Sequence, residues 1–246
     1  KALIVAQFTL SLVFIIVVSV IYNQVNFMLH KDYGFDEKNK INIRLHGLEF
    51  QKLAHEVRKL TGVISVGGVS HRLGTWDDRS GEYKRLPSDQ AFVMRDFMVD
   101  ENYVTNLKLT FLAGENFDYL KEGRIENHVI LNEKALPMFN FTDPLSAIGE
   151  TIYVEDTTAL TVIGVVRDFH FRPLSYEIGP LALRYNLREL TILSAKIEPR
   201  QREMLFSSLD AIWKTLDPIH PFEARMMEEE IDDAYTDAGF KDILKI

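Results

Sequence analysis

The chain has 246 residues, of which 46% are hydrophobic and 26% charged, with a net charge of −8 and no cysteine. That composition excludes a disordered chain and rules out disulfides, thiolate metal sites and cysteine nucleophiles. The acidic balance argues against a nucleic-acid-binding surface and against adhesion to anionic lipid head groups, both of which want basic residues.

Ala2 to Tyr22 carries no charged residue. A helix rises about 1.5 Å per residue, so roughly 20 apolar residues cross a hydrocarbon core. A secretory signal would have a shorter apolar region and a small-residue cleavage site, and neither is present. The segment reads as a retained membrane anchor. Gln7 and Ser11 lie four apart on one helix face, as do Ser19, Asn23 and Asn26. Such faces either pack against other membrane helices or carry side chains that bond their own backbone; both readings stand. Lys1 and Lys31, one on each side, do not set an orientation. The chain begins without Met and ends on Ile243, Leu244 and Ile246, as an excerpt leading into another apolar run would. The length left after one membrane helix holds one large or two small globular units.

Val25, Met28 and Leu29 continue the helical stripe, and Gly34 is expected as a left-handed C-cap closing a short stalk. Ile41, Ile43 and Leu45 alternate with Asn42 and Arg44, which predicts a half-buried strand. Phe50, Leu53, Val57 and Leu60 follow helical spacing, and Val63 to Val69 reads as a second strand. His71 to Gln90 is polar and reads as a loop or subdomain boundary. Strands are expected at Ala91 to Val99, Val129 to Leu131, Thr151 to Val154 and Leu160 to Val166. A short helix is expected at Glu101 to Leu107 and helical turns at Asn132 to Met138. Leu190 to Ile197 is strand-like. Leu205, Leu209, Ile212 and Trp213 mark a helix closed by Pro218, and Phe222 to Met226 makes a short strand. Met227, Ile231, Ala234, Tyr235 and Ala238 give a closing helix whose first turn is acidic at Glu228, Glu229 and Glu230. The fold class is therefore α+β. One membrane helix with its stalk precedes two split βαβ, ferredoxin-like units, and these flank a β-rich insertion.

The apolar start at Gln7 to Leu12, the turn carrying Lys31, Asp32, Gly34, Phe35 and Asp36, and Asn132-Glu133 form an ordered series with Ile148-Gly149 before Thr151-Ile152. Val162 to Phe171 (VIGVVRDFHF) and Phe222, Arg225, Met227, Glu229 and Tyr235 complete it. In that order the chain resembles MacB/FtsX-like ABC transporter permeases. The resemblance implies residues 1–36 as membrane helix and stalk, residues 37–75 with 186–227 as a porter-like subdomain, residues 76–185 as a β-rich Sabre-like insertion, and residues 228–246 as a helix returning to the membrane. It implies a bacterial inner membrane location with the large domain in the periplasm. It also implies a dimer of permease copies, a partner ATPase holding ATP and magnesium, and in some branches a periplasmic adaptor and outer-membrane channel. The chain itself is expected to be no enzyme and to hold no cofactor. Gly34, Phe35, Asp36, Glu229 and Tyr235 are the residues expected to couple membrane to domain, and Gln7 and Ser11 mark the helix-packing face. Ala238 departs from the glutamate expected in the closing helix.

Asp168 and His170 share one face of the expected strand, a spacing that suits acid–base work or a metal. No third ligand lies nearby in sequence, which favours a structural or coupling role. The remaining histidines form no H-x-x-x-H or H-E-x-x-H pattern. There is no G-x-S-x-G elbow, and Gly67-Gly68 lacks the lysine of a phosphate loop. Phe92, Phe97, Phe111, Phe117 and Tyr119 read as core rather than as a ligand box, and Glu228 to Glu230 as a solvated helix start. The competing functional class is the extracytoplasmic sensor of a membrane receptor; a membrane-anchored hydrolase would need a cleft joining a nucleophile to a base.

Overall fold

Apolar residues on every face leave α1 (Ala2–Leu29) without a polar side. Its stretch Ala2–Asn23 is long and apolar enough to cross a membrane, and its side chains there are exposed. At 1.5 Å per residue the helix spans about 42 Å. Thr9 Oγ1 donates to Val5 O at 2.9 Å, which satisfies that hydroxyl within the helix. Gln7 and Ser11 are exposed. The computed structural model describes residues 2–29, 32–117, 127–155 and 158–236, without the side chains of 24–29, 235 and 236. Lys31, Tyr119, Ala238 and residues 243–246, singled out above, lie outside these.

Residues Tyr33–Ala234 form one compact unit. Within it β1 (Lys40–Arg44), α2 (Phe50–Val57) and β2 (Val63–Val69) follow one another as expected. The next polar stretch is not all loop: β3 (Arg79–Lys84) lies inside it, paired with β4 (Phe92–Val99). Its polar side chains hid it, since only Gly81 and Tyr83 are buried. Then come α3 (Glu101–Leu107), β5 (Phe111–Gly114), β6 (His128–Asn132), a 3-10 helix over Glu133–Phe139, and α4 (Pro144–Ala147). β7 (Thr151–Val154), β8 (Thr158–Val166), β9 (Leu181–Tyr185), β10 (Ile192–Ile197), α5 (Arg202–Leu216), β11 (Ala224–Met226) and α6 (Met227–Thr236) complete the order.

Two sheet regions result. In the first the strand order is β11-β1-β10-β2 and every neighbour is antiparallel, so β1 and β2 run the same way with β10 between them. Ile41 and Ile43 of β1 face α2 and α5 in an apolar core with Phe50, Leu53, Leu193, Ala195, Leu205, Leu209 and Trp213. Trp213 Nε1 finds its acceptor at His220 O, 2.9 Å away. The strand is not half-buried as its alternation predicts: Asn42, on the opposite face, is only 4% exposed. Helices cover that side as well. The adjacent glycines of β2 show why both faces fill. A Cβ on Gly67 would lie 2.4 Å from Tyr103 N of α3, and one on Gly68 would lie 2.8 Å from Phe50 Cε2 of α2.

In the second region β4-β3-β7-β8-β6-β9 closes into a ring, because β9 pairs back onto β4. The β9–β4 and β6–β8 pairs are parallel and the others antiparallel; β5 adds to β8. Closure removes edges that would otherwise recruit other chains. Tyr83, Met94, Leu131, Phe139, Ile152, Leu160 and Val162 belong to its apolar core. Asp96 is fully buried there, and its Oδ2 accepts from Tyr83 Oη and from Arg184 at 2.9 Å each. Arg79 Nε approaches Asp96 Oδ1 at 3.3 Å, so the buried carboxylate is charge-paired on both oxygens. The two regions join at Val69 of β2, which pairs with Val99 of β4.

Candidate functional site

The residues expected at the domain entrance are held by three separate elements. Gly34 takes φ +82°, a left-handed conformation cheap only for glycine. It lies in a bend after two non-helical residues, so it is not the cap of α1. A Cβ on Gly34 would stand 3.0 Å from Phe169 Cβ, and Tyr33 O accepts from His170 N at 2.7 Å. The Val162–Phe171 motif is thus a docking edge for the entering chain. Phe35 is buried, with its ring 6.1 Å from that of Phe169 and edge-on to it; Phe169, Phe171 and Phe97 continue the series at 6.2 Å spacings.

Asp36 sits among three ammonium groups. Its Oδ2 lies 2.8 Å from Lys108 Nζ and 3.2 Å from Lys196 Nζ, and its Oδ1 is 3.4 Å from Lys40 Nζ. Its N–H donates to Leu107 O at 2.8 Å. Partial burial pushes the Asp36 carboxyl up, but Lys108, Lys40 and Lys196 outweigh it and hold the group well below the usual carboxylate range. Lys40 is fully buried and also donates to Asp36 O. Burial pushes its ammonium down to about 8 against the pull of Asp36. One carboxylate therefore ties the entrance to β1, to β10 and to the end of α3.

The exit is held as tightly, and its acids are not simply solvated. Glu228 Oε2 accepts from Asn39 N at 3.0 Å, Glu229 pairs with Arg202 of α5, and Glu230 Oε2 accepts from Asn42 Nδ2 at 2.6 Å. Burial pushes the Glu230 carboxyl up to about 7, although the Asn42 hydrogen bond and nearby Arg72 and Arg225 pull it down. Trp76 Nε1 donates to Ala234 O at 2.9 Å. Entrance and exit meet at Gly74: the position of a Cβ there is 2.9 Å from Ile231 Cγ1 and 3.7 Å from Phe35 Cζ.

Of the residues expected to act together, Gly34, Phe35 and Asp36 form one cluster, whereas Glu229 reaches α5 instead. The Tyr235 side chain lies outside the described residues. Sequence reasoning missed Lys40, Lys108, Lys196, Gly74, Trp76 and Ile231 as parts of the joint. Lys40 carried a weak signal, four residues after Asp36, but Lys108 and Lys196 are too distant in sequence to carry one. Asp168 is engaged in hydrogen bonds to neighbouring elements, and His170 donates its backbone N–H to Tyr33 O. Asp168 Oδ1 accepts from Asn132 Nδ2 at 2.9 Å and Lys134 N at 3.0 Å, and burial raises its carboxyl against the Lys134 N–H. No three His, Asp or Glu side chains gather as a metal would require, among the described residues.

No family model matches the sequence, and no curated protein matches it. Among solved structures, the periplasmic region of MacB from Actinobacillus actinomycetemcomitans aligns over 82% of this chain and 94% of its own, at 17% identity and TM-score 0.56. A domain assigned to a permease protein from Porphyromonas gingivalis aligns over 77% and 90%, at 13% identity and TM-score 0.55. The extracellular domain of the noncanonic ABC-type transporter YknZ from Gram-positive bacteria aligns over 76% and 98%, at 13% identity and TM-score 0.50. The chain shares the α+β fold of these periplasmic and extracellular permease domains.

Proposed function

We propose that this chain is part of a MacB/FtsX-like ABC transporter permease and passes motion between membrane helices and an extracytoplasmic domain. On this reading the β11-β1-β10-β2 sheet is the porter-like, split βαβ subdomain and the closed ring is the Sabre-like insertion. α1 is the first membrane helix of a permease in a bacterial inner membrane, with the domain in the periplasm. ATP hydrolysis belongs to a partner ATPase in the cytoplasm, and two permease copies work as a dimer. An adaptor and an outer-membrane channel are partners where the cargo leaves the cell. The chain itself makes and breaks no covalent bond.

The observation that carries this reading is the shared seat of entrance and exit at Gly74, where Phe35 and Ile231 close on the same loop residue. With the Asp36–lysine cluster, it supports a rigid path from a displaced entrance into β1, β10 and α6. The competing sensor reading needs no such joint.

The test is transport, or stimulation of the partner's ATPase, in the transporter reconstituted with Gly34→Val and, separately, Asp36→Asn. Gly34→Val strains a positive φ and presses on Phe169; Asp36→Asn leaves three lysines without their counter-charge while keeping the side chain's shape. Both are expected to lower coupled activity by about tenfold or more, equivalent to about 1.4 kcal/mol, with the partner's basal ATPase retained. Unchanged coupling in both variants would overturn the reading.

A further inference from the structure

On the face of the sheet opposite α2 and α5 there is a cleft of about 510 Å³, a volume in the range of small-molecule sites. Three guanidinium groups from three elements line it: Arg44 from β1, Arg72 from the loop after β2, and Arg225 from β11. Each guanidinium has five N–H donors, and few are committed. Arg44 has its nearest acid, Glu223, at 3.7 Å, beyond hydrogen-bond distance. The Arg72 side chain reaches Asp77 through Nε at 3.3 Å, and Arg225 reaches Asp233 through one terminal nitrogen at 2.5 Å. The remaining donors form planar forks of the kind that grip carboxylate or phosphate oxygens in pairs.

A second observation comes from inside the cleft. Asn42 lines it while being only 4% exposed, and its Nδ2 donates to Glu230 Oε2 at 2.6 Å, which holds that carboxylate at the cleft wall. Asp77, Glu223 and Glu230 also line the cleft, which disfavours a bare dianion and favours a ligand bearing both signs.

We propose that the cleft binds a small zwitterion whose carboxylate or phosphate faces Arg44, Arg72 and Arg225 and whose ammonium faces Glu230. The proposal is independent of the transport reading, since a sensor domain with this cleft would bind equally well.

The experiment uses the full chain in detergent micelles. Thermal unfolding and titration calorimetry are run with phosphoethanolamine, with γ-aminobutyrate and with inorganic phosphate, each against sodium chloride at matched ionic strength. At least one of the two zwitterions is expected to raise the unfolding temperature and to bind, and comparing them distinguishes a phosphate head from a carboxylate. Arg44→Gln and Arg72→Gln, at partly or largely exposed side chains, are each expected to weaken binding about tenfold or more, equivalent to about 1.4 kcal/mol. Arg44→Lys keeps the charge without the fork and is expected to recover only part of the affinity. No binding by either zwitterion, binding that survives both Arg44→Gln and Arg72→Gln undiminished, or inorganic phosphate binding as tightly as the zwitterion that binds would each overturn the proposal.

Discussion

On one face of the β11-β1-β10-β2 sheet, Ile41, Ile43, Leu193 and Ala195 pack under α2 and α5 around Trp213. On the other, Lys40, Asn42, Gly67 and Ser194 lie under side chains and backbone of α3, α6 and the entrance. The first face is apolar, and its stability comes from area removed from water and from close packing. The second has charged and hydrogen-bonding groups, several of them buried at a cost in desolvation. Asp100, the cap of α3, accepts from Gly68 N at 2.9 Å and Tyr103 N at 2.8 Å, yet burial still pushes its carboxyl up to about 7. Non-directional packing makes the first face a body; directional bonds make the second a set of joints whose partners are specified one by one.

The largest effect expected from this contrast is on the apolar face. Trp213→Ala should lower unfolding free energy by about 3–5 kcal/mol, measured by denaturant unfolding of the chain in micelles. A loss below about 1 kcal/mol would break the comparison, because the apolar face would then not be the main source of stability.

The paired glycines sharpen it next. A Cβ on Gly67 meets the backbone of Tyr103, at 2.4 Å from N and 2.6 Å from Cα, whereas one on Gly68 meets the movable ends of Leu190 and Phe50. Gly67→Ala should therefore cost about 2–3 kcal/mol and Gly68→Ala about 1 kcal/mol. Equal losses in thermal unfolding would mean that α3 is no more firmly placed than the side chains of the opposite face.

The smallest effect is the pH dependence of the polar face. In the folded chain the Glu230 carboxyl titrates at about 7, well above the ordinary value of about 4.3. The folded state thus holds the proton more tightly than the unfolded one. Its stabilising contribution is complete below the ordinary value and is lost as pH rises through about 7. Glu230→Gln should flatten stability between pH 5 and 8 by about 1–2 kcal/mol, while Trp213→Ala should leave that slope in place. An unchanged slope in Glu230→Gln would refute the assignment of a titrating joint to α6.

Much of this was legible in the pattern of residues, and the exceptions are instructive. The helix at Leu205 to Trp213 and the strands at Val63 to Val69 and Thr151 to Val154 stand where their periodicities put them. β9 was missed because all five of its residues are buried, so Leu181–Tyr185 has no alternation to read. β3 was missed for the opposite reason, since its outward residues are polar and one inward residue is a glycine. Gly34, Phe35 and Asp36 were visible as a local motif, but the lysines that pair with Asp36 come from β1, β10 and the end of α3.

By itself the sequence determined the apolar helix, the α+β class and the order of most elements, since these follow from short-range periodicity and from side chains that either tolerate water or avoid it. Only the tertiary structure decided that β9 returns to β4 to close the ring, that α3 and α6 cover the polar face, and that Asp36 meets three lysines. Those are pairings between residues far apart in the chain. Hydropathy records whether a side chain is buried but not which partner buries it, and a directional bond exists only once both partners have been brought together.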